Sequence, residues 1–158
     1  MNGIRQKAVE GLRPGDEFVT TRTFTEEDMR RFGDVTLDYN PVHYDERFAR
    51  ARGFRDRICH GLLVGGLLTE IGGQIGWLAT EMNFRFIRPV FFGDTITCRF
   101  TISRVEEGGR AEARVTYRNQ HGEAVLSATL RGILPGRGET EILRTMLSEG
   151  DPTNPLRG

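Results

Sequence analysis

Residues 61–78 read GLLVGGLLTEIGGQIGWL, and this stretch decides the fold. Apolar side chains occur on nearly every side of a helix drawn through it, which predicts one buried helix from Gly61 to Leu78. Each glycine inside that helix costs up to about 1 kcal/mol of stability relative to alanine. We therefore expect another backbone or a ligand to approach the helix closely at its glycines, which are Gly65, Gly66, Gly72, Gly73 and Gly76.

Four strand-like runs follow this helix, and in each the apolar residues alternate with polar ones. A period of two predicts antiparallel strands with one packed face. Gly93-Asp94, Glu107-Gly108-Gly109 and His121-Gly122 predict the hairpin turns of a meander. The shared faces are Met82, Phe84, Phe86, Arg88, Val90 and Phe92; then Ile96, Cys98, Phe100 and Ile102; then Ala113, Val115 and Tyr117; then Leu126, Ala128 and Leu130.

The residues before residue 61 predict one strand and two helices. A polar segment over residues 1–15 ends in a turn, and residues 16–20 predict the strand. Thr25 with Asp28 resembles a capping box and predicts the start of a helix that ends before Pro41. Asp45 and Gly53 are the expected caps of a shorter helix. The fold class is α+β, an antiparallel sheet wrapped around a central apolar helix.

The loop Asp38-Tyr39-Asn40-Pro41-Val42-His43 carries the candidate chemistry. Pro41 pushes Asn40 out of the helical region, so Asp38 and His43 flank a bend that can turn both side chains toward one point. Near neutral pH they offer a charged base and a switchable group, which suits a proton relay or the holding of a water molecule. The alternative interpretation is that Asp38 braces the turn and His43 is a half-buried structural residue.

Three ordered motifs resemble the MaoC-like hydratases and dehydratases, which are hot-dog-fold proteins that include the (R)-specific enoyl-CoA hydratases. The motifs are Asp38-x-Asn40-Pro41-x-His43-x-Asp45, His60-Gly61-Leu62, and Arg88-Pro89-Val90 followed by Gly93-Asp94. The resemblance covers roughly residues 9–134. It implies a hot-dog domain over residues 1–134 and an extension over 135–158, in which we expect a short amphipathic helix and a loose tail.

The resemblance also implies an activity, the reversible addition of water across the 2,3 double bond of an enoyl thioester to give a 3-hydroxyacyl thioester. Asp38 and His43 would hold the water. The amide of Gly61, at a helix start, would stabilise the negative charge that develops on the thioester oxygen. No cofactor or metal is expected. A thioesterase of the same fold and a non-catalytic acyl-CoA-binding module are the alternatives, and the intact Asp38/His43 motif counts against both.

Further residues are candidates for substrate binding. His60 is expected to order the loop around Asp38, and Thr69 either braces Asp38 or bonds back to its own helix. The arginines near residue 60 and on the following strand suit phosphate, although a solvated charged face is the more common explanation of such a cluster. The full set of binding candidates is Asn40, His60, Leu62, Thr69, Arg85 and Arg88.

Composition limits the remaining classes of function. The 158 residues carry 22 basic and 22 acidic side chains, so bulk attraction to nucleic acid or a membrane surface is not expected. Cys59 and Cys98 stand in apolar contexts and are expected to be reduced and buried. The N-terminus has no apolar signal region, which predicts a cytoplasmic protein. We expect an acyl-CoA or acyl-carrier-protein thioester as substrate, and a homodimer or dimer of dimers by analogy with hot-dog domains.

Overall fold

The computed structural model describes residues 3–151, which form seven helices and five strands. In chain order these are α1 Gly3–Glu10, β1 Glu17–Thr23, α2 Glu26–Thr36, α3 Pro41–Tyr44, α4 Glu46–Ala51, α5 Gly61–Gly65, α6 Leu67–Ile75, β2 Leu78–Phe86, β3 Thr95–Val105, β4 Arg110–Arg118, β5 Ala124–Ile133 and α7 Arg137–Ser148.

The strands form one antiparallel sheet in the order β1-β3-β4-β5-β2. The buried faces of β3, β4 and β5 carry the predicted alternating residues, including Phe100, Val115 and Ala128. These residues belong to one core cluster with Leu68 and Ile71 of α6. The predicted α+β architecture, with a sheet packed around a central apolar helix, is confirmed.

The central helix differs from the prediction in two places. It is divided at Gly66 into α5 and α6, although Gly66 keeps helical angles, with φ −58° and ψ −15°. It ends at Ile75, because Gly76 adopts a left-handed conformation with φ 80°. Leu78 therefore does not end the helix but begins β2.

The predicted meander is wrong for β2. This strand pairs with β5 at the far side of the sheet and not with β3, so Gly93-Asp94 does not join two neighbouring strands. Instead, the Gly93 N–H donates to the Phe24 carbonyl, which ties this turn to the end of β1. The strand also ends at Phe86, and the predicted later members of its face lie outside it. Pro89 cannot donate a hydrogen bond to a continuing ladder, which is consistent with that end.

The helix is approached closely at Gly61 and Gly65, but by aromatic side chains and not by the backbone or ligand that the glycines led us to expect. A Cβ atom added to Gly61 would lie 2.4 Å from Cε1 of Phe86, and one added to Gly65 would lie 2.9 Å from Cε1 of Phe84. By contrast, a Cβ added to Gly72 or Gly73 would meet no atom within 4 Å. Only part of the glycine pattern therefore reflects packing.

The helices near both termini contact each other. Helix α1 was not expected from the polar N-terminal segment, while α7 is the predicted amphipathic helix. The guanidinium of Arg144 donates to the Val9 carbonyl at 2.8 Å, and buried Arg5 forms an ion pair with buried Asp151. The expected loose tail falls mainly on residues 152–158, outside the described residues. Within residues 3–151, no helix has the length and apolar character needed to cross a membrane.

Candidate active site

Short-range capping interactions shape the loop that carries Asp38. Thr25 and Asp28 form the predicted capping box at the start of α2, and the helix ends where Leu37 turns left-handed, with φ 60°. Asn40 then caps α3, since its Oδ1 accepts a hydrogen bond from the Val42 N–H at 3.2 Å. As a result, the chain bends sharply between Asp38 and the one-turn helix α3, which carries the second candidate residue.

The bend brings three polar side chains together. Asp38 Oδ2 lies 3.9 Å from Nε2 of His43 and 3.9 Å from Nε2 of His60. The two imidazole rings stack with their centroids 3.8 Å apart. Both histidines are buried, whereas the Asp38 side chain is half exposed. The sequence-based expectation that Asp38 and His43 converge on one point agrees with this geometry.

Hydrogen bonds fix which nitrogen of each histidine carries a proton. His43 Nδ1 donates to the Ile58 carbonyl at 2.8 Å, so Nε2 of the neutral ring presents its lone pair toward Asp38. Burial lowers the pKa of His43, and the neighbouring His60 lowers it further, while the Ile58 carbonyl and Asp38 oppose the shift. Near neutral pH His43 is therefore an uncharged base.

His60 contacts the backbone of the Asp38 loop. Its Nε2 donates to the Asp38 carbonyl at 2.9 Å, which is the ordering contact that the sequence led us to expect. Its Nδ1 is buried without a hydrogen-bond partner among the described residues. The nearby donor atoms of Asp38, His43 and His60 lie within 4.8 Å of one another, so these side chains could also hold a metal ion. The sequence led us to expect no metal, and it related His60 to Asp38 only as a residue that orders the loop.

These side chains open into a cavity of about 530 Å³ with largely apolar walls. Gly61, the first residue of α5, also lines it, and His60 forms no side-chain cap on that helix. The first N–H groups of a helix have no acceptor within the helix. The remaining walls are Phe32, Thr36, Phe54, Ile58, Cys59, Leu62, Val64, Phe86, Ile87, Arg88, Pro89, Val90 and Leu126.

The structure divides the predicted binding residues into two groups. Leu62, His60 and Arg88 line the cavity with the three candidate catalytic residues. Asn40 and Arg85 do not line it; Asn40 acts as a helix cap and Arg85 is exposed on β2.

Thr69 is also outside the cavity. Its hydroxyl donates to the Gly66 carbonyl at 2.6 Å, so the back-bonding alternative is the one observed.

The sequence did not predict the aromatic walls of the cavity, which are Phe32, Phe54 and Phe86. Phe86 covers Gly61, and its ring stacks with that of Phe84 at a centroid distance of 6.3 Å. A signal for this packing was present in the sequence: glycines four residues apart on a helix, and aromatic residues two apart on the next strand. Phe32 contacts the His60 ring at a centroid distance of 5.0 Å, and no sequence pattern indicated that contact.

Comparison with known proteins identifies the class. An R-hydratase of Pseudomonas aeruginosa, solved in the unliganded form, superposes with a TM-score of 0.74 at 27% identity, covering 82% of this chain and 86% of that one. The (R)-hydratase of A. caviae involved in PHA biosynthesis also gives a TM-score of 0.74, at 25% identity, covering 80% of this chain and 99% of that one. The fold is therefore the hot-dog fold, as the resemblance implied.

The sequence comparisons identify the family. The pattern of the MaoC like domain matches residues 11–125, and the chain belongs to this family. An (R)-specific enoyl-CoA hydratase of Rhodospirillum rubrum is 26% identical over 133 residues, which cover 82% of this chain and 92% of that protein.

A mitochondrial 3-hydroxyacyl-[acyl-carrier-protein] dehydratase of Arabidopsis thaliana is 36% identical over 87 residues, 54% of this chain and 52% of that protein. The chain thus matches only about half the length of this plant relative. These relatives place the chain among the hydro-lyases.

Proposed function

We propose that this protein hydrates the 2,3 double bond of an enoyl-CoA to give a 3-hydroxyacyl-CoA, and catalyses the reverse dehydration. The convergence of Asp38, His43 and Gly61 on one apolar cavity is the observation that carries this proposal. The hydratases and dehydratases among its relatives support the reaction class. An apolar cavity with a few polar groups at one end suits an acyl chain that ends in a reactive thioester.

The separation between Asp38 and His43 fits one water molecule. A water oxygen about 2.8 Å from both acceptors, an ordinary hydrogen-bond length, would span the observed 3.9 Å gap at an angle of roughly 90°. A single water molecule can therefore donate one hydrogen bond to the Asp38 carboxylate and a second hydrogen bond to Nε2 of His43. The imidazole is ready to accept near neutral pH, because burial lowers the pKa of His43 and keeps it neutral.

In the proposed reaction the water oxygen bonds to the β-carbon while the Asp38/His43 pair takes one of its protons. The electron pair of the double bond moves toward the thioester carbonyl, and the Gly61 N–H stabilises the developing oxyanion. The proton held by the pair is then delivered to the α-carbon. Atoms balance as water plus enoyl thioester giving hydroxyacyl thioester, and dehydration runs through the same steps in reverse.

Crotonyl-CoA provides the direct test, through the loss of enoyl-thioester absorbance. Asp38→Asn and His43→Ala should each lower kcat by about 10²–10⁴, the usual contribution of a positioned acid or base. Asp34→Asn is the matched control, because Asp34 is exposed on α2 and does not line the cavity. Release of free thiol with the double bond intact would identify a thioesterase instead. Binding of acyl-CoA without turnover would support the acyl-CoA-binding module.

We also propose a homodimer, or a dimer of dimers, that forms through β2. This strand lies at one edge of the sheet and pairs only with β5 among the described residues. Leu78 and Met82 of β2 are exposed in the single chain, and an unpaired apolar edge favours pairing with another strand. Sedimentation analysis tests this assembly: a monomer at micromolar concentration would refute it. A cytoplasmic location is likewise proposed, and cell fractionation tests it.

A further inference from the structure

A second cavity adjoins the candidate active site. Its volume is about 330 Å³, and it shares Arg88 and Pro89 with the wall of the catalytic cavity. Arg55, Phe91 and His121 also line it. It therefore lies beside the catalytic cavity, at a place that a substrate extending out of that cavity could reach.

Arg55 is an exposed arginine that packs against an aromatic ring and keeps donors for a ligand. Its guanidinium carbon lies 3.8 Å from the centroid of the Phe91 ring, a stacked cation–π geometry. No carboxylate within residues 3–151 pairs with it. Because the ring covers one face of the guanidinium, the N–H groups around its edge remain available to an anion.

The lack of a paired carboxylate distinguishes Arg55 from three other arginines of the same segment. Arg47, Arg50 and Arg57 pair with Asp45, Glu46 and Glu26, which is the solvated charged face that the sequence suggested.

The second arginine of the cavity, Arg88, is also anchored. Its Nη1 donates to the Ala124 carbonyl at 2.7 Å, and its Nε lies 3.7 Å from Glu123.

The acidic residues of this cavity are already engaged with other groups. Asp94 is buried and accepts hydrogen bonds from the Phe91 N–H at 2.9 Å and from Gln120 Nε2 at 2.8 Å. Glu123 accepts a hydrogen bond from Asn119 Nδ2 at 3.0 Å. The polar groups that a ligand can still reach are the guanidinium of Arg55, the Nη2 group of Arg88, and the exposed imidazole of His121, whose Nε2 lies 3.4 Å from Gln120 Nε2.

We propose that Arg55, Arg88 and His121 bind a phosphate group on the carrier arm of the thioester substrate. The inference rests on the proposed function, because a thioester of coenzyme A or of a carrier protein reaches the enzyme on a phosphopantetheine arm. Arginine suits phosphate because its planar donors match the phosphate oxygens in pairs. The site holds the substrate outside the reacting centre, so it affects binding and not the chemical step.

The experiment compares three crotonyl thioesters that differ only in the arm: crotonyl-CoA, crotonyl-4′-phosphopantetheine and crotonyl-pantetheine. Arg55→Gln should raise KM for crotonyl-CoA by about five- to tenfold with kcat unchanged, the range expected for a partly exposed charge-assisted contact. Arg52→Gln is the matched control, since Arg52 is an exposed arginine that lines neither cavity. KM for crotonyl-pantetheine, which has no phosphate, should be the same in the wild type, Arg55→Gln and Arg52→Gln.

Crotonyl-4′-phosphopantetheine, the substrate with one phosphate and no nucleotide, shows which phosphate the site binds. If Arg55→Gln also raises KM for crotonyl-4′-phosphopantetheine, the site binds the phosphate common to coenzyme A and carrier proteins. If only crotonyl-CoA is affected, it binds a phosphate of the nucleotide. An equal rise for crotonyl-pantetheine, or no rise for any substrate, would overturn the proposal.

Direct binding of free coenzyme A, measured by calorimetry, separates this site from the proposed reaction. Weaker binding to Arg55→Gln than to the wild type would support the phosphate site even if no enoyl thioester were hydrated. If the wild type and Arg55→Gln hydrate all three thioesters with equal KM values, the proposed reaction is supported and the proposed phosphate site is refuted.

Discussion

Replacing Gly61 with alanine tests the most crowded point of the candidate site. The added Cβ would lie 2.4 Å from Cε1 of Phe86 and 2.8 Å from its Cδ1, whereas carbon atoms pack at about 3.5–4.0 Å. The ring must therefore withdraw by roughly 1 Å or more. Both the new methyl group and the displaced ring border the cavity beside the Gly61 N–H. We expect a large loss of activity for that reason.

Stability should change much less than activity. Overpacking a rigid core costs about 1–3 kcal/mol, but Phe86 is 59% exposed and its ring can swing outward. Alanine also favours the helix by up to about 1 kcal/mol relative to glycine. The two effects nearly cancel, so the free energy of unfolding should stay within about 1 kcal/mol of the wild type. Alanine keeps the backbone N–H, but its methyl group and the displaced ring obstruct the approach of the thioester oxygen to it, so we expect kcat to fall by up to about 10²–10³, the loss that follows when one oxyanion donor is not used.

The assay is hydration of crotonyl-CoA, together with chemical denaturation of each protein. Gly72→Ala is the matched control, because its added Cβ meets no atom within 4 Å and Gly72 does not line the cavity. It should be as active as the wild type and slightly more stable. The double variant Gly61→Ala/Phe86→Ala removes the clash and should recover part of the lost rate. Activity of Gly61→Ala within about threefold of the wild type would refute the steric requirement for glycine beside this N–H, since a blocked oxyanion donor costs far more.

Three further predictions concern titration, thiol reactivity and stability. Since burial places the pKa of His43 below its ordinary value, kcat/KM should rise with pH through a pKa below about 6.5, and the fold should lose stability as pH falls from 6.5 toward that pKa; a midpoint above 7 in the pH–rate profile would contradict this. Burial raises the pKa of Cys59 to about 12, so iodoacetamide at pH 8 should leave it unmodified in the native protein, as mass spectrometry would show. Asp151→Asn breaks the buried ion pair with Arg5 and should lower the free energy of unfolding in urea by about 3–5 kcal/mol. The control is Arg31→Ala, which breaks the exposed Arg31–Glu27 pair and should cost less than about 1 kcal/mol. An equally small change for Asp151→Asn would show that the buried pair contributes little.

Local signals in the sequence predicted the elements well, because short-range contacts create those elements. The capping box at Thr25 and the cap at Asp45 are formed by residues two or three positions apart. Strand alternation gives the buried faces of β3, β4 and β5 directly. The pairing of β2 with β5 could not be predicted in this way, because alternation tells which face of a strand is buried but not which strand lies beside it.

The candidate site shows the same limit. The bend at Pro41 predicted that Asp38 and His43 converge, since only the local backbone is needed. The stacking of His43 on His60 depends on how α5 docks beside the loop, which no spacing in the sequence fixes. The ion pair of Arg5 with Asp151 joins positions near the two ends of the chain, and a buried arginine has no sequence signature.

The pairing of glycines with aromatic rings indicates why α5 begins with a weak helix-forming sequence. Gly61 and Gly65 together cost the helix up to about 2 kcal/mol relative to alanine. Phe84 and Phe86 pack against them, but full burial of a phenylalanine contributes only about 1.5–3 kcal/mol, and Phe86 remains 59% exposed. Packing therefore offsets the glycine cost without clearly exceeding it, so stability alone does not explain Gly61. Its position on the cavity wall, with no Cβ beside the first N–H of the helix, gives a functional reason for glycine there.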